Sequence, residues 1–425
     1  MRGTCTQLLA KSVFLLLSIG WQPVLADETQ DAVAGDSSNN VPADTDSGSL
    51  DDSMGTIADM LFGAGWNSST DIRLQYNDTD TDFTPGSGIF DNDPGAWQTR
   101  LRAGGSYNFS DELIVGTRLA TTCTQNNCDF NIAFNDNVPV GATSIPQGDV
   151  TFDELYIHSF RREKFDVAFG RLQTKFVSHA GVFANSLDRG NSSGVNVTWT
   201  DGIHGVLHFT DKSRAHLILQ RNRADGAGSV RRAPLDFSSK KSRITYFAAW
   251  NNLQASGPFI QRGLDVSFLP SSLLQDGDPN GVPVNYLALV GRAAASWPKQ
   301  SDGRRLTVGA ELGYSPTTPT KAAVGLPGEG FSGGFAWNLS ISGMDIWPDH
   351  NIGVNLGQTD AGWLLSPDYV PNTEVLEIRY LWRRSKNMAL DMRARWRQSI
   401  KTPEGSAEQP TELNVFIRVT LGLGR

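Results

Sequence analysis

The sequence predicts an all-β fold, a transmembrane antiparallel β-barrel of 16 strands (18 is the alternative count), and three observations carry that expectation. Apolar and polar residues alternate with period two in one stretch after another. Long polar segments and tight turns succeed each other along the chain. After the N-terminal leader, no apolar run approaches the roughly 18 residues that a membrane helix needs. Successive strand residues point to opposite faces, so a barrel in lipid needs only alternate residues to be apolar. The abundance of glycine (43) and tryptophan (11) and the slightly polar mean hydropathy agree with that. A soluble sandwich shares the composition but buries two inner faces and seldom needs so many strands.

The leader comes first. Arg2 and Lys11 precede and open an apolar run from Val13 to Ile19, and Val24-Leu25-Ala26 supplies the small-residue ending of a cleaved secretory signal over residues 1–26. Cys5 leaves with it. Residues 27–62 form the next segment. From Asp27 to Asp52 the chain is acidic and poor in large apolar residues, which predicts disorder. Ser53 is placed to cap a short helix with Met54, Ile57, Met60 and Leu61 on one face. The barrel is then expected over 63–425.

Phe331 to Ser342 shows the strand pattern best: Phe331, Phe335, Trp337, Leu339 and Ile341 take the lipid parity, and Ser332, Ala336, Asn338, Ser340 and Ser342 the other. Trp97–Asn108, Glu112–Thr122, Arg243–Trp250, Arg305–Tyr314, Asn387–Gln398 and Thr411–Leu421 repeat it. Trp97, Tyr107, Trp250, Trp297, Tyr314, Trp382 and Trp396 near strand ends suit the two interfacial girdles. Bacterial barrels alternate short periplasmic turns with long external loops. That alternation is kept only if Val195–Thr210 is one long strand with a glycine bulge and the chain turns at Asp211-Lys212-Ser213. The count is then 16, with both ends of the chain periplasmic. A barrel of that size leaves an aqueous channel.

Function follows from the lumen. The fifth predicted strand and the segment after it contain Phe169-Gly170-Arg171-Leu172, Lys175-Phe176, Gly181-Val182 and Ser186-Leu187-Asp188-Arg189. These resemble the porins, and more loosely the phosphate-selective porin family. The resemblance implies that the third external loop, Thr174–Gly194 here, folds inward to narrow a diffusion channel, with Lys175, His179, Asp188 and Arg189 as constriction candidates; if that fold brings Asp188 opposite Arg395, the channel carries a transverse field. It also implies a homotrimer. Leu269–Pro283 lacks the lysines that the phosphate-selective pattern has there, which counts against phosphate as the solute.

Independently of that resemblance, strand parity turns Arg73, Arg100, Arg102, Arg118, Arg379, Arg393, Arg395, Arg397 and Arg418 away from lipid. An arginine facing mid-membrane lipid costs about 2–4 kcal/mol, so these are expected to line the pore. With the last strand paired to the first they form one basic arc, which predicts a bias toward anions. Loop one is acidic, with Asp78, Asp80, Asp82, Asp91 and Asp93.

Cys123 and Cys128, the two cysteines after the leader, are expected to form a disulfide in an oxidising compartment. No cofactor or metal motif is found. His158 and Ser159 point to opposite faces, which argues against a serine hydrolase, and His204 and His208 share a face as polar lumen lining. Formal charge of −8 argues against nucleic acid as a partner. The expected partners are outer-membrane lipid, lipopolysaccharide and small hydrophilic solutes, and the expected location is the bacterial outer membrane. A binding protein or adhesin using its external loops is the alternative class.

Overall fold

The computed structural model describes residues 66–82, 95–124, 127–132, 147–161, 164–174, 181–183, 185–189, 197, 199–221, 232–237, 244–298, 303–366, 368–406 and 408–424. The expected leader, the acidic segment and its short helix, Lys175, His179, Asp91 and Asp93 lie outside them. The strands are β1 (Trp66–Asp82), β2 (Ala96–Ser110), β3 (Leu113–Thr124), β4 (Asn131–Ile132), β5 (Asp149–Arg161), β6 (Phe165–Leu172), β7 (Thr200–Thr210), β8 (Ser213–Arg221) and β9 (Ile244–Asn252). They continue as β10 (Phe259–Leu273), β11 (Val284–Trp297), β12 (Arg305–Tyr314), β13 (Phe335–Trp347), β14 (His350–Thr359), β15 (Thr373–Ser385), β16 (Met388–Ser399) and β17 (Thr411–Gly424).

All but β4 join one ring of 16 antiparallel strands, each paired with its neighbours in sequence. The ring closes where β1 meets β17, with Ile72 opposite Leu421 and Arg73 opposite Thr420. The two-residue β4 runs parallel to the start of β5. The described residues contain no α-helix, only a 3₁₀ turn at Ala322–Val324.

Alternation decides which face is which. On β14, Ile352, Val354 and Leu356 are exposed while Asn351 and Asn355 are buried. On β9, Ile244, Tyr246 and Trp250 are exposed while Thr245, Phe247 and Ala249 are buried. A band of exposed apolar side chains around a closed ring is what lipid requires, since no edge remains to pair and the backbone groups of each strand find their partners in its neighbours.

Three sequence expectations need correction. Asp78, Asp80 and Asp82 belong to β1, where they pair with β17, and not to loop one. Val195–Thr210 is not one bulged strand: β7 begins at Thr200, and its ladder to β6 passes through Gly202 and Gly205 without a shift. Glycine serves there for close approach, because a Cβ on Gly202 would collide with the Leu219 carbonyl. The alternating run at Phe331 also starts too early. Phe331 and Ser332 belong to the preceding loop, where the Ser332 hydroxyl donates to the Pro319 carbonyl (2.9 Å), and β13 begins at Phe335.

The largest apolar core lies inside the barrel. Leu187 from the β6–β7 segment, Leu235 and Phe237 from the β8–β9 segment, and Trp363, Leu364, Leu365 and Tyr369 from the β14–β15 segment pack together there. They meet Leu269, Tyr286, Ala288, Val290, Ala336 and Val375 of the wall. Three long loops therefore fold into the lumen and share one core, which narrows the space left for water.

Candidate pore constriction

The β6–β7 loop is held on the inside by a chain of specific contacts. Gly181 (φ +121°) lies where a side chain would strike Ser342 of β13, and the next amide, Val182 N–H, donates to the Ser342 hydroxyl (3.2 Å). Asn185 Nδ2 donates to Glu377 of β15 (3.2 Å) and Leu187 N–H to Glu311 of β12 (2.8 Å). Trp363 Nε1 donates to the Leu187 carbonyl (2.9 Å), and the Ser366 hydroxyl to the Ser186 carbonyl (2.8 Å). At its far end Arg189 donates to Thr174 (3.0 Å) and to Gln220 of β8, and its guanidinium stacks on Phe247 of β9 (4.6 Å). The loop thus crosses from β8–β9 to β15. Among the described residues of the loop, none of these hydrogen bonds, ion pairs or ring contacts reaches the wall from β16 through β17 to β3.

Asp188 is buried and does not face Arg395. It joins Arg292 of β11 (2.9 Å), which also meets Asp265 (2.5 Å) and Glu311 (3.3 Å), so one guanidinium serves three carboxylates. Burial alone would raise the Asp188 carboxyl, but Arg292, the Arg189 N–H and the Ser186 hydroxyl hold it below the ordinary carboxylate range. Asp368, in the β14–β15 loop, goes the other way: burial raises it, although Arg395 and the Ser186 N–H pull against that. Burial lowers Arg189 to about 10.

The signs of these shifts oppose. A depressed carboxyl gives stability that is present above its unfolded value and lost as pH falls through the folded value. A raised one is protonated first in the folded state, so its contribution weakens as pH rises. Loop docking followed by amide exchange at 185–189 should therefore loosen below about pH 4 through Asp188. Asp188→Asn should flatten that acid limb. An unchanged acid limb would show that another group controls it.

Opposite the loop, the nine arginines stand on six contiguous strands, β15, β16, β17, β1, β2 and β3. Arg73 and Arg100 share Asp71; Arg102 (2.7 Å) and Arg118 (2.9 Å) share Asp153, and Arg118 also reaches Glu154 (2.8 Å). Arg379 and Arg418 share Asp391, and Arg395 holds Glu377. Arg397 binds Glu412 (2.8 Å) and the Asp368 carbonyl (3.0 Å). Arg393 donates to Asn414 (2.7 Å) and stacks on Phe416 (4.2 Å). Several of these guanidiniums are buried, and a buried charge left unpaired costs several kcal/mol, which is why carboxylates interleave with them.

Sequence reasoning missed those carboxylates. Their signal was available, since Asp71 and Arg73, Glu377 and Arg379, and Asp391 and Arg393 are each two residues apart and so share a face. Asp153 was harder, because it sits at an irregularity in the β3–β5 ladder. Beyond the arc, Cys123 and Cys128 are joined (S–S 2.06 Å) at the head of the β3–β5 loop.

No family model matches the chain, and no curated protein matches it. Among solved structures, OprB of Pseudomonas putida superposes with a TM-score of 0.55 at 12% identity, covering 87% of this chain and 97% of that one. OpdL of Pseudomonas aeruginosa gives a TM-score of 0.50 at 11% identity, covering 85% and 99%. At such identities the likeness shows a shared fold, the closed antiparallel barrel.

Proposed function

We propose that the chain is an outer-membrane porin, a channel for passive diffusion of small hydrophilic solutes, whose path runs between the inward β6–β7 loop and the arginine-bearing wall. The observation that carries this reading is the loop itself, pinned across the lumen from β8 to β15 and facing a wall of charged side chains. The structural neighbours are outer-membrane porins, which supports the same class and the same membrane.

The arc carries less net charge than its arginines suggest. Nine guanidiniums stand with Asp71, Asp153, Glu154, Asp368, Glu377, Asp391 and Glu412, so anion preference is small. At an ionic strength of about 0.15 M the Debye length is about 8 Å, and the remaining field is felt only near the wall. Phosphate is not favoured either. Leu269–Pro283 offers no cation, Arg189 is committed to Thr174, Gln220 and Phe247, and Arg292 to three carboxylates.

Purified protein in planar bilayers should give stable stepwise conductance. A closed barrel without current would overturn the reading in favour of a receptor that works through its loops. Arg393→Glu should shift the reversal potential toward cations at about 0.01 M salt, where the Debye length is about 30 Å, and hardly at about 1 M. No shift at low salt would remove Arg393 from the conducting path.

A further inference from the structure

Four of the chain's six histidines stand on one patch of wall, at the short-turn end of β5, β7 and β8, outside the arginine arc, with β8 also receiving Arg189 of the inward loop. Ile157 on β5, Ile203, Leu207 and Phe209 on β7, and Leu217 on β8 are exposed outward. His158, His204, His208 and His216 take the opposite parity and face the lumen. Val206 pairs with Asp166 of β6 on one side and with His216 of β8 on the other. Asp166, His204, His208 and His216 thus surround a single residue. His204 Nε2 lies 3.1 Å from His216 Nδ1, with the rings stacked at 25°, and His208 Nε2 lies 2.8 Å from Asp166.

We propose that His204 and His216 form a binding site for a divalent transition metal, of the Zn²⁺ or Cu²⁺ class, on the wall of the lumen. Imidazole nitrogens bind such ions at about 2.0–2.1 Å, which sets two ligands on one ion about 2.9 Å apart at a right angle and about 3.3 Å apart at the tetrahedral angle. The observed 3.1 Å falls between these. In the metal-free pair one nitrogen carries the proton of the hydrogen bond. Metal binding moves that proton to the other nitrogen of the same ring, through water, and a small ring rotation turns both lone pairs toward one point. No net proton is released.

Charge around the site is mixed. Asp166 attracts a dication, whereas Arg214, opposite His208 on β8, and Arg189 of the inward loop, close to His204, repel it. The affinity therefore comes from the coordinate bonds and not from the field. Among the described residues no group of three His, Cys, Asp or Glu side chains converges on one point, so water completes the coordination shell. An open site with two protein ligands exchanges its ion readily, in contrast to the closed four-ligand sites that hold structural zinc.

The test is direct binding to the full chain in detergent, which does not depend on conduction. Cu²⁺ added to the wild type should give an electron paramagnetic resonance spectrum with nitrogen couplings from two imidazoles. His204→Gln or His216→Gln, which keep a polar side chain in the wall, should weaken binding at least about tenfold. The double variant should lose the signal, and His350→Ala, on the outer face, should retain it. Absence of a two-nitrogen spectrum in the wild type, or its persistence in the folded double variant, overturns the proposal. Folding of each variant is checked by heat-dependent gel mobility.

Discussion

Arg292→Met should release the constriction. Arg292 is the cation shared by Asp188 of the inward loop, Asp265 of β10 and Glu311 of β12, all of them buried. Removing one partner of a buried ion pair costs about 3–5 kcal/mol, because the charge left behind keeps its desolvation penalty. Here the carboxylates left behind include one on a loop, and that loop can leave while the wall remains. The expected result is a folded barrel with larger single-channel conductance, a shift toward cations at low salt, and faster amide exchange at 185–189. Adding Asp188→Asn should restore part of the docking by removing one of the stranded charges. Wild-type conductance together with wild-type exchange would show that the cluster does not hold the loop.

Leu339→Arg should have the largest effect on assembly. Leu339 shares its parity on β13 with exposed Phe335 and Ile341, whereas Ala336, Asn338 and Ser342 on the other parity are buried. A guanidinium at mid-membrane facing lipid costs about 2–4 kcal/mol. The matched control is Ser340→Arg, whose side chain enters the lumen and should cost much less. Asn338 is a poorer control, because its Nδ2 donates to Glu311 (2.9 Å) and its loss would disturb the loop's anchorage. The check is the free energy of folding into lipid vesicles, and equal losses for Leu339 and Ser340 would invert the assigned faces.

Much of the wall was legible in the sequence, because a strand's periodicity is local and lipid enforces it. The lumen-side parity of β16 is written in Asp391, Arg393, Arg395 and Arg397, and only the arginines were taken from it. The inward course of the β6–β7 loop could be expected only by resemblance. Its anchors lie on β8, β9, β11, β12, β13 and β15, and neither spacing nor composition of Gly181–Arg189 points to them. The role of the β14–β15 loop was not foreseen at all. Gly362-Trp363-Leu364-Leu365 is too short and too apolar to differ from a strand fragment by pattern, and its packing against Tyr286 and Leu187 is purely tertiary. The start of β7 was misjudged because Val197 and Trp199, both buried, continue the strand's apolar pattern into a stretch without strand pairing.

The bonds from Leu187 to Trp363 and from Ser186 to Ser366 and Asp368 join positions 176, 180 and 182 residues apart. Contacts of that span form only after most of the intervening chain has been ordered, and the entropy of closing so long a loop is set against them. The passage is accordingly a late product of assembly: a ring of strands can close before its interior has acquired a shape. It also means that two remote stretches of the gene write one aperture. A change in 360–372 alters what the 181–189 segment can exclude without touching it in sequence, so solute preference in this barrel is inherited as a pair of loops and can be retuned from either one.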